Sequence, residues 1–147
     1  MLWKIPPKVK VLEALGCIGD NRIVIDDGNP NRAIVKSSNL DKEYYVSYYP
    51  EKNKVYSTDN ASKFRHYIGY PIIAFLMKKG VINFDNKIAN ALKGIKWNEL
   101  NKKFKRDYSK TEEYAKGVCE KKGFKRELVD KEVEGVLKQL KNLRLEY

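Results

Sequence analysis

Three side chains near the middle of the sequence have the types that nucleophilic catalysis uses. Ser62 and His66 are four residues apart in a predicted helix, so they share one of its faces. Asp59 precedes that helix, and a hydroxyl, an imidazole and a carboxylate together suit acyl transfer. However, Asp59 and Ser62 are also ordinary residues for a first helical turn, and catalytic triads are usually assembled from distant segments. We therefore assign no catalytic residue, and the sequence favours a protein that is not an enzyme.

A pocket near His66 remains an alternative hypothesis. Asp59, Arg65, His66 and Tyr70 lie close together in the sequence, where the helical region begins. Arg65 in such a pocket would favour an anionic ligand. The alternative function is therefore a small protein that binds an anionic ligand, or an enzyme with this pocket.

Metal and cofactor motifs are absent from the sequence. His66 is the one histidine, and there is no glycine-rich phosphate loop and no HExxH, CxxC or GxSxG motif. We predict no metal site and no cofactor. Cys17 and Cys119 lie among apolar residues, which is typical of reduced cysteines in a core, and a disulfide between them is the alternative.

Positive charge is concentrated in the second half of the chain. Residues 1–60 contain 9 Lys and Arg against 8 Asp and Glu, whereas residues 61–147 contain 21 against 11. A field of one sign attracts phosphate-rich partners, so the first hypothesis is a non-catalytic basic module that contacts nucleic acid or a ribonucleoprotein. A lysine-rich solvated surface without a partner is the plainer alternative.

The segment 88–106 carries the most specific form of that hypothesis. Two predicted helices, joined by Gly94-Ile95-Lys96, resemble a helix-turn-helix in outline. Asparagine can read adenine and lysine can hold phosphate, and these side chains are predicted to lie on the outer side. The candidate nucleic-acid-binding residues are Lys93, Lys96, Asn98, Asn101, Lys102, Lys105 and Arg106.

Two tyrosines complete the nucleic-acid candidates. In the segment 44–49, the period of two places Tyr44, Val46 and Tyr48 on one face of a strand. Tyr45 and Tyr49 then lie on the opposite face, where aromatic rings can stack on bases. Tyrosine is also simply a good strand former, and no RNA-binding motif accompanies the pair.

The elements that must position these residues form an α+β fold. A short amphipathic helix at 8–17 precedes a four-stranded antiparallel meander at 22–26, 33–36, 43–49 and 54–57. About five helices follow and pack mainly on one face of the sheet. The helix that begins near residue 58 must kink or split at Gly69-Tyr70-Pro71, and short helices are predicted at 85–93 and 97–106. The chain is predicted to be one domain, with helix and sheet in 1–57 and a basic helical part in 58–147.

The last helix offers a route to oligomers. Between residues 125 and 143 an apolar stripe follows helical spacing, and it can pack within the chain or in a homodimer. The stripe consists of Val129, Val133, Val136, Leu140 and Leu143.

Two segments resemble uncharacterised conserved proteins of archaea. They are YSTDNASKFRHYIGYPIIAFLMKKG at 56–80 and ALKGIKWNELNKKFK at 91–105. This resemblance implies an archaeal, thermophilic source and carries no activity. A composition of 24 Lys, 6 Arg and 1 Gln agrees with a thermophilic bias.

No segment predicts a membrane span. The longest apolar stretch, Tyr70 to Met77, has eight residues, and a span needs about 20. The beginning of the sequence lacks the apolar run of a signal peptide. We therefore predict a cytoplasmic protein without membrane contact.

Overall fold

A helix buried on nearly every side lies at the centre of the fold. The computed structural model describes residues 1–147, and its first helix, α1 (Lys8–Gly19), is buried at Val9 and at every residue from Val11 to Cys17. The prediction that this helix is amphipathic was wrong, because α1 contacts helices on several sides. Because several helices cover α1, its buried positions are not confined to one face.

The four-stranded antiparallel meander is confirmed. The strands are β1 (Ile23–Ile25), β2 (Arg32–Lys36), β3 (Glu43–Tyr49) and β4 (Lys54–Ser57), in the order β1-β2-β3-β4. A 3₁₀ turn, Pro50–Lys52, joins the last two strands. Val35, Val46 and Val55 alternate with exposed residues and are buried against the helical side of the sheet.

Five α-helices follow the sheet, as predicted. They are α2 (Tyr70–Lys79), α3 (Asn86–Ala91), α4 (Trp97–Lys103), α5 (Tyr108–Lys121) and α6 (Arg126–Leu143). The predicted helix near residue 58 is a single π-helical turn, Ala61–Arg65, that ends at left-handed His66. Helix α2 starts afresh with Pro71 in its first turn and packs on the inner face of the sheet. None of the helices is both long and apolar enough to cross a bilayer.

The apolar stripe of α6 packs within the chain. Val129, Val133, Val136 and Leu140 are buried, and α6 contacts α1 and α5. The stripe is therefore covered by its own chain and is not available as a dimer surface. Together with residues from all other layers, these side chains belong to one hydrophobic cluster of 32 buried residues.

Candidate ligand cleft

A two-part cleft lies between the sheet, α1, the π-helical turn and α4. Its inner chamber has a volume of about 110 Å³, and its outer vestibule has a volume of about 490 Å³. Both parts share the lining residues Lys10, Tyr44, Asn60, Ala61, Asn98 and Asn101, so they are continuous.

Three buried polar atoms of the inner chamber have no hydrogen-bond partner. They are Glu13 Oε2, Arg22 Nη2 and Trp97 Nε1, and the structure contains no other such side-chain atoms. Their residues are 2%, 6% and 2% exposed, and all three line the chamber. Because a buried polar group without a partner costs about 1–3 kcal/mol, we take this cavity as the candidate ligand site.

Arg22 is held firmly by two of its nitrogens. Nε donates to Asp20 Oδ2 at 3.0 Å and Nη1 donates to the Lys36 carbonyl at 2.6 Å. The guanidinium also lies 5.8 Å from the Tyr70 ring centroid. Asp20 Oδ1 in turn accepts from the Gly94 amide at 2.7 Å, which ties the end of α1 to the turn before α4. The free Nη2 is therefore a donor in a fixed position.

Glu13 is the only acidic residue among the buried positions of α1. Asn101 Nδ2 donates to its Oε1 at 2.9 Å, and Thr111 Oγ1 donates to Asn101 Oδ1 at 3.1 Å. Lys10 Nζ lies 3.1 Å from Glu13 Oε2 and forms an ion pair with it. A carboxylate oxygen has more than one acceptor position, so Oε2 retains capacity to accept a hydrogen bond from a ligand.

Trp97 reaches the chamber because Gly16 has no side chain. A Cβ atom at Gly16 would lie 2.7 Å from Trp97 Nε1 and 3.0 Å from Cζ2. The indole of the first α4 residue thus lies directly on the backbone of α1. Gly69 has the same role beside Asp59, where a Cβ atom would lie within 2.9 Å of the carboxylate carbon.

Asp59 lines the chamber but is occupied by structural contacts. Ser57 Oγ donates to its Oδ1, and the Ser62 amide donates to Oδ2 at 3.1 Å. These bonds cap the π-helical turn. Asp59 therefore contributes negative charge to the chamber and little free acceptor capacity.

The vestibule is strongly basic. Lys42, Arg65, Lys102 and Arg106 are exposed there and form no ion pair, and Asp41 is the one acidic residue in the lining. Lys105 and Arg106 both have left-handed backbone angles, with φ of 52° and 62°, which end α4 after two turns. The aromatic lining residues are Tyr44, Phe64, Tyr67 and Tyr108.

Burial and neighbouring groups together shift the pKa values of the chamber residues. It raises the pKa of the Tyr44 and Tyr70 hydroxyls, so both remain protonated donors. Burial opposes the charge of Lys10, but Glu13 and the neighbouring tyrosines outweigh it and the pKa of Lys10 rises. Arg22 behaves likewise: burial lowers its pKa, and Cys17, Tyr70 and Asp20 more than reverse that effect.

The structure separates the residues of the predicted His66 pocket. Asp59 and Tyr70 line the chamber and Arg65 lines the vestibule. His66 lies elsewhere: it is exposed and stacks on Tyr147, with ring centroids 4.5 Å apart and planes 2° apart. Ser62 is buried, with its Oγ facing the Gly69 amide, so the Asp59, Ser62 and His66 arrangement does not form a triad.

The predicted nucleic-acid residues of the helical half lie on both flanks of α4. Lys93 and Lys96 line a groove of about 460 Å³ beside α5, together with Lys103, whereas Lys102 and Arg106 line the vestibule. Lys105 is exposed beyond the helix end. None of these cations forms an ion pair. Asp130 of α6 pairs with Lys116 instead.

Three details differ from the helix-turn-helix prediction. Asn101 does not lie on the outer side, because its amide bonds the buried Glu13. The N-terminal end of α4, which would read bases, is bonded to the loop after β2: the Asn98 amide donates to Ser38 Oγ at 3.2 Å and Lys96 Nζ to the Ser38 carbonyl at 3.3 Å. The helices are also shorter than predicted, at 86–91 and 97–103.

The two tyrosines lie on the open face of the sheet, as the strand period predicts. Tyr45 and Tyr49 are exposed, whereas Tyr48 packs edge-on against Phe75 in the core. Tyr45 Oη donates to Glu43 Oε2 at 3.3 Å. This face lies apart from the cleft.

Sequence reasoning missed the centre of the chamber. Glu13, Arg22 and Trp97 come from α1, the segment before β1 and the start of α4. One signal was available: Glu13 interrupts the apolar run between Val11 and Ile18. An acid flanked by Leu12 and Ala14 in a buried helix indicates a buried polar contact.

Fold and cleft together define an α+β protein with a polar, two-part cleft between a four-stranded sheet and a helical layer. Over residues 3–146 the chain matches the family described as "Uncharacterised conserved protein UCP014422", and it belongs to that family. No curated protein and no solved structure matches the chain. The resemblance to an uncharacterised conserved family is thereby confirmed.

Proposed function

We propose that this protein binds a small anionic metabolite in the cleft. The anionic group lies in the vestibule and an uncharged, hydrogen-bonding end lies in the chamber. The observation that carries the proposal is that three residues lining one cavity, Glu13, Arg22 and Trp97, each have a buried polar atom that forms no hydrogen bond within the protein.

Charge supports this orientation of the ligand. In the chamber, Lys10 and Arg22 are balanced by Glu13 and Asp59, so an anion gains little there. In the vestibule, Lys42, Arg65, Lys102 and Arg106 face one acid, and an anion is stabilised. A ligand group with both donors and acceptors suits the chamber, because Arg22 Nη2 and Trp97 Nε1 are donors and Glu13 Oε2 is an acceptor, and none of them forms a hydrogen bond.

A phosphorylated metabolite with a planar polar group suits both parts of the cleft. Arginine holds phosphate bidentately, and four unpaired cations exceed what a single carboxylate needs. Tyr44 lines both parts of the cleft and Tyr70 the chamber, and their rings lie edge-on to each other at 6.2 Å. Such walls accept a flat ring.

Thermal shift with three ligand sets tests the proposal. We expect nucleoside monophosphates to stabilise the protein, sugar phosphates to do so less, and uncharged nucleosides hardly at all. Ligand at 100 times Kd adds about 2.7 kcal/mol, which for a chain of this size raises Tm by roughly 5–10 °C. No shift with any phosphorylated compound, and no heat in calorimetry, would overturn the proposal.

Paired variants locate the anion site. K102A/R106A removes two vestibule cations, and K93A/K103A removes two cations from the opposite flank of α4. We expect the first variant to weaken phosphate binding by roughly 10- to 150-fold per lost charged hydrogen bond, because each contributes roughly 1.5–3 kcal/mol. The second should bind as the wild type does. Equal weakening would place the anion outside the vestibule.

Nucleic-acid binding by the basic helical half is a second candidate. The observation that favours it is that Lys93, Lys96, Lys102, Lys103, Lys105 and Arg106 all lack ion-pair partners. Backbone phosphate is their natural partner, without base recognition, because the start of α4 is covered by the loop containing Ser38.

Salt dependence separates the two candidates. For a duplex held by both flanks of α4, each double variant should lower the slope of log K against log salt by about 1.8, at 0.9 per phosphate contact. For a small ligand in the vestibule, only K102A/R106A has an effect. Failure to retard DNA or RNA near 50 mM salt, where such contacts are strongest, counts against the second candidate.

A further inference from the structure

The sheet face turned away from the helices carries a continuous apolar row. Val24 pairs with Ile34, and Ile34 pairs with Tyr45, across three adjacent strands. These side chains are 65%, 38% and 52% exposed. Tyr49 and Tyr56 extend the row toward β4, with ring centroids 5.9 Å apart. We call these five residues the outer sheet face.

The charges around the outer sheet face are balanced. Three acids, Asp26, Asp27 and Glu43, and three bases, Arg32, Lys36 and Lys54, lie on or beside it. A groove of about 510 Å³ runs along the row and includes Asp26, Asp27 and Arg32 in its lining. The net charge of +11 therefore belongs to the remaining surface.

We propose that the outer sheet face is the interface of a homodimer. Two copies with this net charge repel each other wherever their basic surfaces meet, and this neutral, apolar face is where they can approach. Acids and bases in equal number on one face can pair across a two-fold axis, which is what an interface of one patch with itself requires. A polyanion finds no excess of positive charge here, so the balance favours a second copy over nucleic acid stacked on Tyr45 and Tyr49.

The size of the face predicts a reversible dimer. Four strands about 4.8 Å apart and up to seven residues long, at about 3.4 Å each, cover on the order of 400 Å² per copy. Stable interfaces bury about 800 Å² per partner, so this contact is about half the size of a stable interface and fits a weak, transient dimer. Two sheets packed face to face in this way lie about 10 Å apart.

Sedimentation equilibrium from tens of micromolar to about 1 mM tests the dimer across the weak range of Kd. We expect the weight-average mass of the wild type to rise from 17.1 kDa toward twice that value with concentration. V24D and Y45D should remain monomeric, because each buries an unpaired carboxylate in the interface. The matched control is L128D: Leu128 is 45% exposed on α6, lies off the sheet, and the change in charge is the same.

Several results would overturn the proposal. A wild type that stays monomeric at every concentration ends it, as does a dimer that V24D and Y45D leave intact or that L128D dissociates equally. Loss of RNA binding in Y45D, with no change in mass, would assign the face to nucleic acid instead.

Discussion

The Asn101 amide nitrogen lies 2.9 Å from Glu13 Oε1, although 88 positions separate the two residues. Thr111 completes the chain from α5 through α4 to the buried carboxylate of α1. The other oxygen of Glu13 lines the chamber. The hydrogen bond that fixes α4 on the core therefore also orients a group of the candidate site.

We expect N101A to destabilise the protein by about 1–3 kcal/mol. The change leaves Glu13 Oε1 and Thr111 Oγ1 without their partner, and buried groups lose that amount. Chemical denaturation measures the loss as a lower midpoint at an unchanged m-value. N98A is the control, since the Asn98 side chain makes one longer, exposed bond to Asn39 at 3.3 Å. If the two variants lose equal stability, the Glu13 bond has no special weight.

We expect G16A to displace the Trp97 indole. A Cβ atom 2.7 Å from Nε1 cannot be accommodated, and overpacking in a core costs typically 1–3 kcal/mol. Tryptophan fluorescence should shift toward that of a more exposed indole, and ligand stabilisation should fall with it. G135A is the control: nothing lies near its added Cβ, so removing a mid-helix glycine of α6 should stabilise the chain by roughly 0.5–1 kcal/mol.

The helices and strands could be predicted because the sequence patterns that indicate them are local. Strand β3 and strand β4 begin and end where alternating side chains and turn residues predict, and Gly80 ends α2 with a φ of 81°. The cleft could not be predicted, because the elements that line it come together only when the helices pack on one another and on the sheet. Trp97 is far from Glu13 and Arg22 in the sequence, and the contact between α1 and α4 depends on the missing side chain of Gly16.

Helix faces were less predictable than helix positions. The apolar spacing of α1 predicted one buried face, but α1 is buried on several faces because several helices pack on it. Asn101 was predicted on the outer side of its helix because Leu100 and Phe104 were expected to face inward, but its amide bonds the buried carboxylate of Glu13. The apolar stripe of α6 was compatible with packing within the chain or in a homodimer, and only the fold shows that it packs on its own chain.

We expect K105G to stabilise the protein by roughly 1–2 kcal/mol. Lys105 has a φ of 52°, and a left-handed backbone costs a non-glycine residue about that much. K103G is the matched control, because Lys103 is the last residue of α4 and glycine lowers helix stability by up to about 1 kcal/mol. Thermal denaturation should therefore move the two variants in opposite directions. Shifts of the same sign would show that the lost lysine, not the backbone, sets the result.

The alkaline stability of the protein should depend on Cys17. Burial raises the pKa of this thiol from 9.0 to about 11, despite the nearby Arg22. The thiol thus holds its proton more tightly in the folded than in the unfolded state. Its contribution is complete below pH 9.0 and is lost as the pH rises toward 11, since the unfolded thiol ionises first.

A pH series of unfolding free energies measures that contribution. Two pKa units correspond to roughly 2–3 kcal/mol, so the wild type should lose about that much more stability than C17A between pH 8 and 11. C17A itself is less stable at pH 7, because it leaves a small cavity, and the slope with pH is therefore the readout. C119A is the control. Burial also raises the pKa of Cys119, but Lys122 opposes that shift, so removing Cys119 should change the slope with pH less than removing Cys17 does. Parallel curves for wild type and C17A would show that Cys17 ionises as readily in the folded protein as in the unfolded chain.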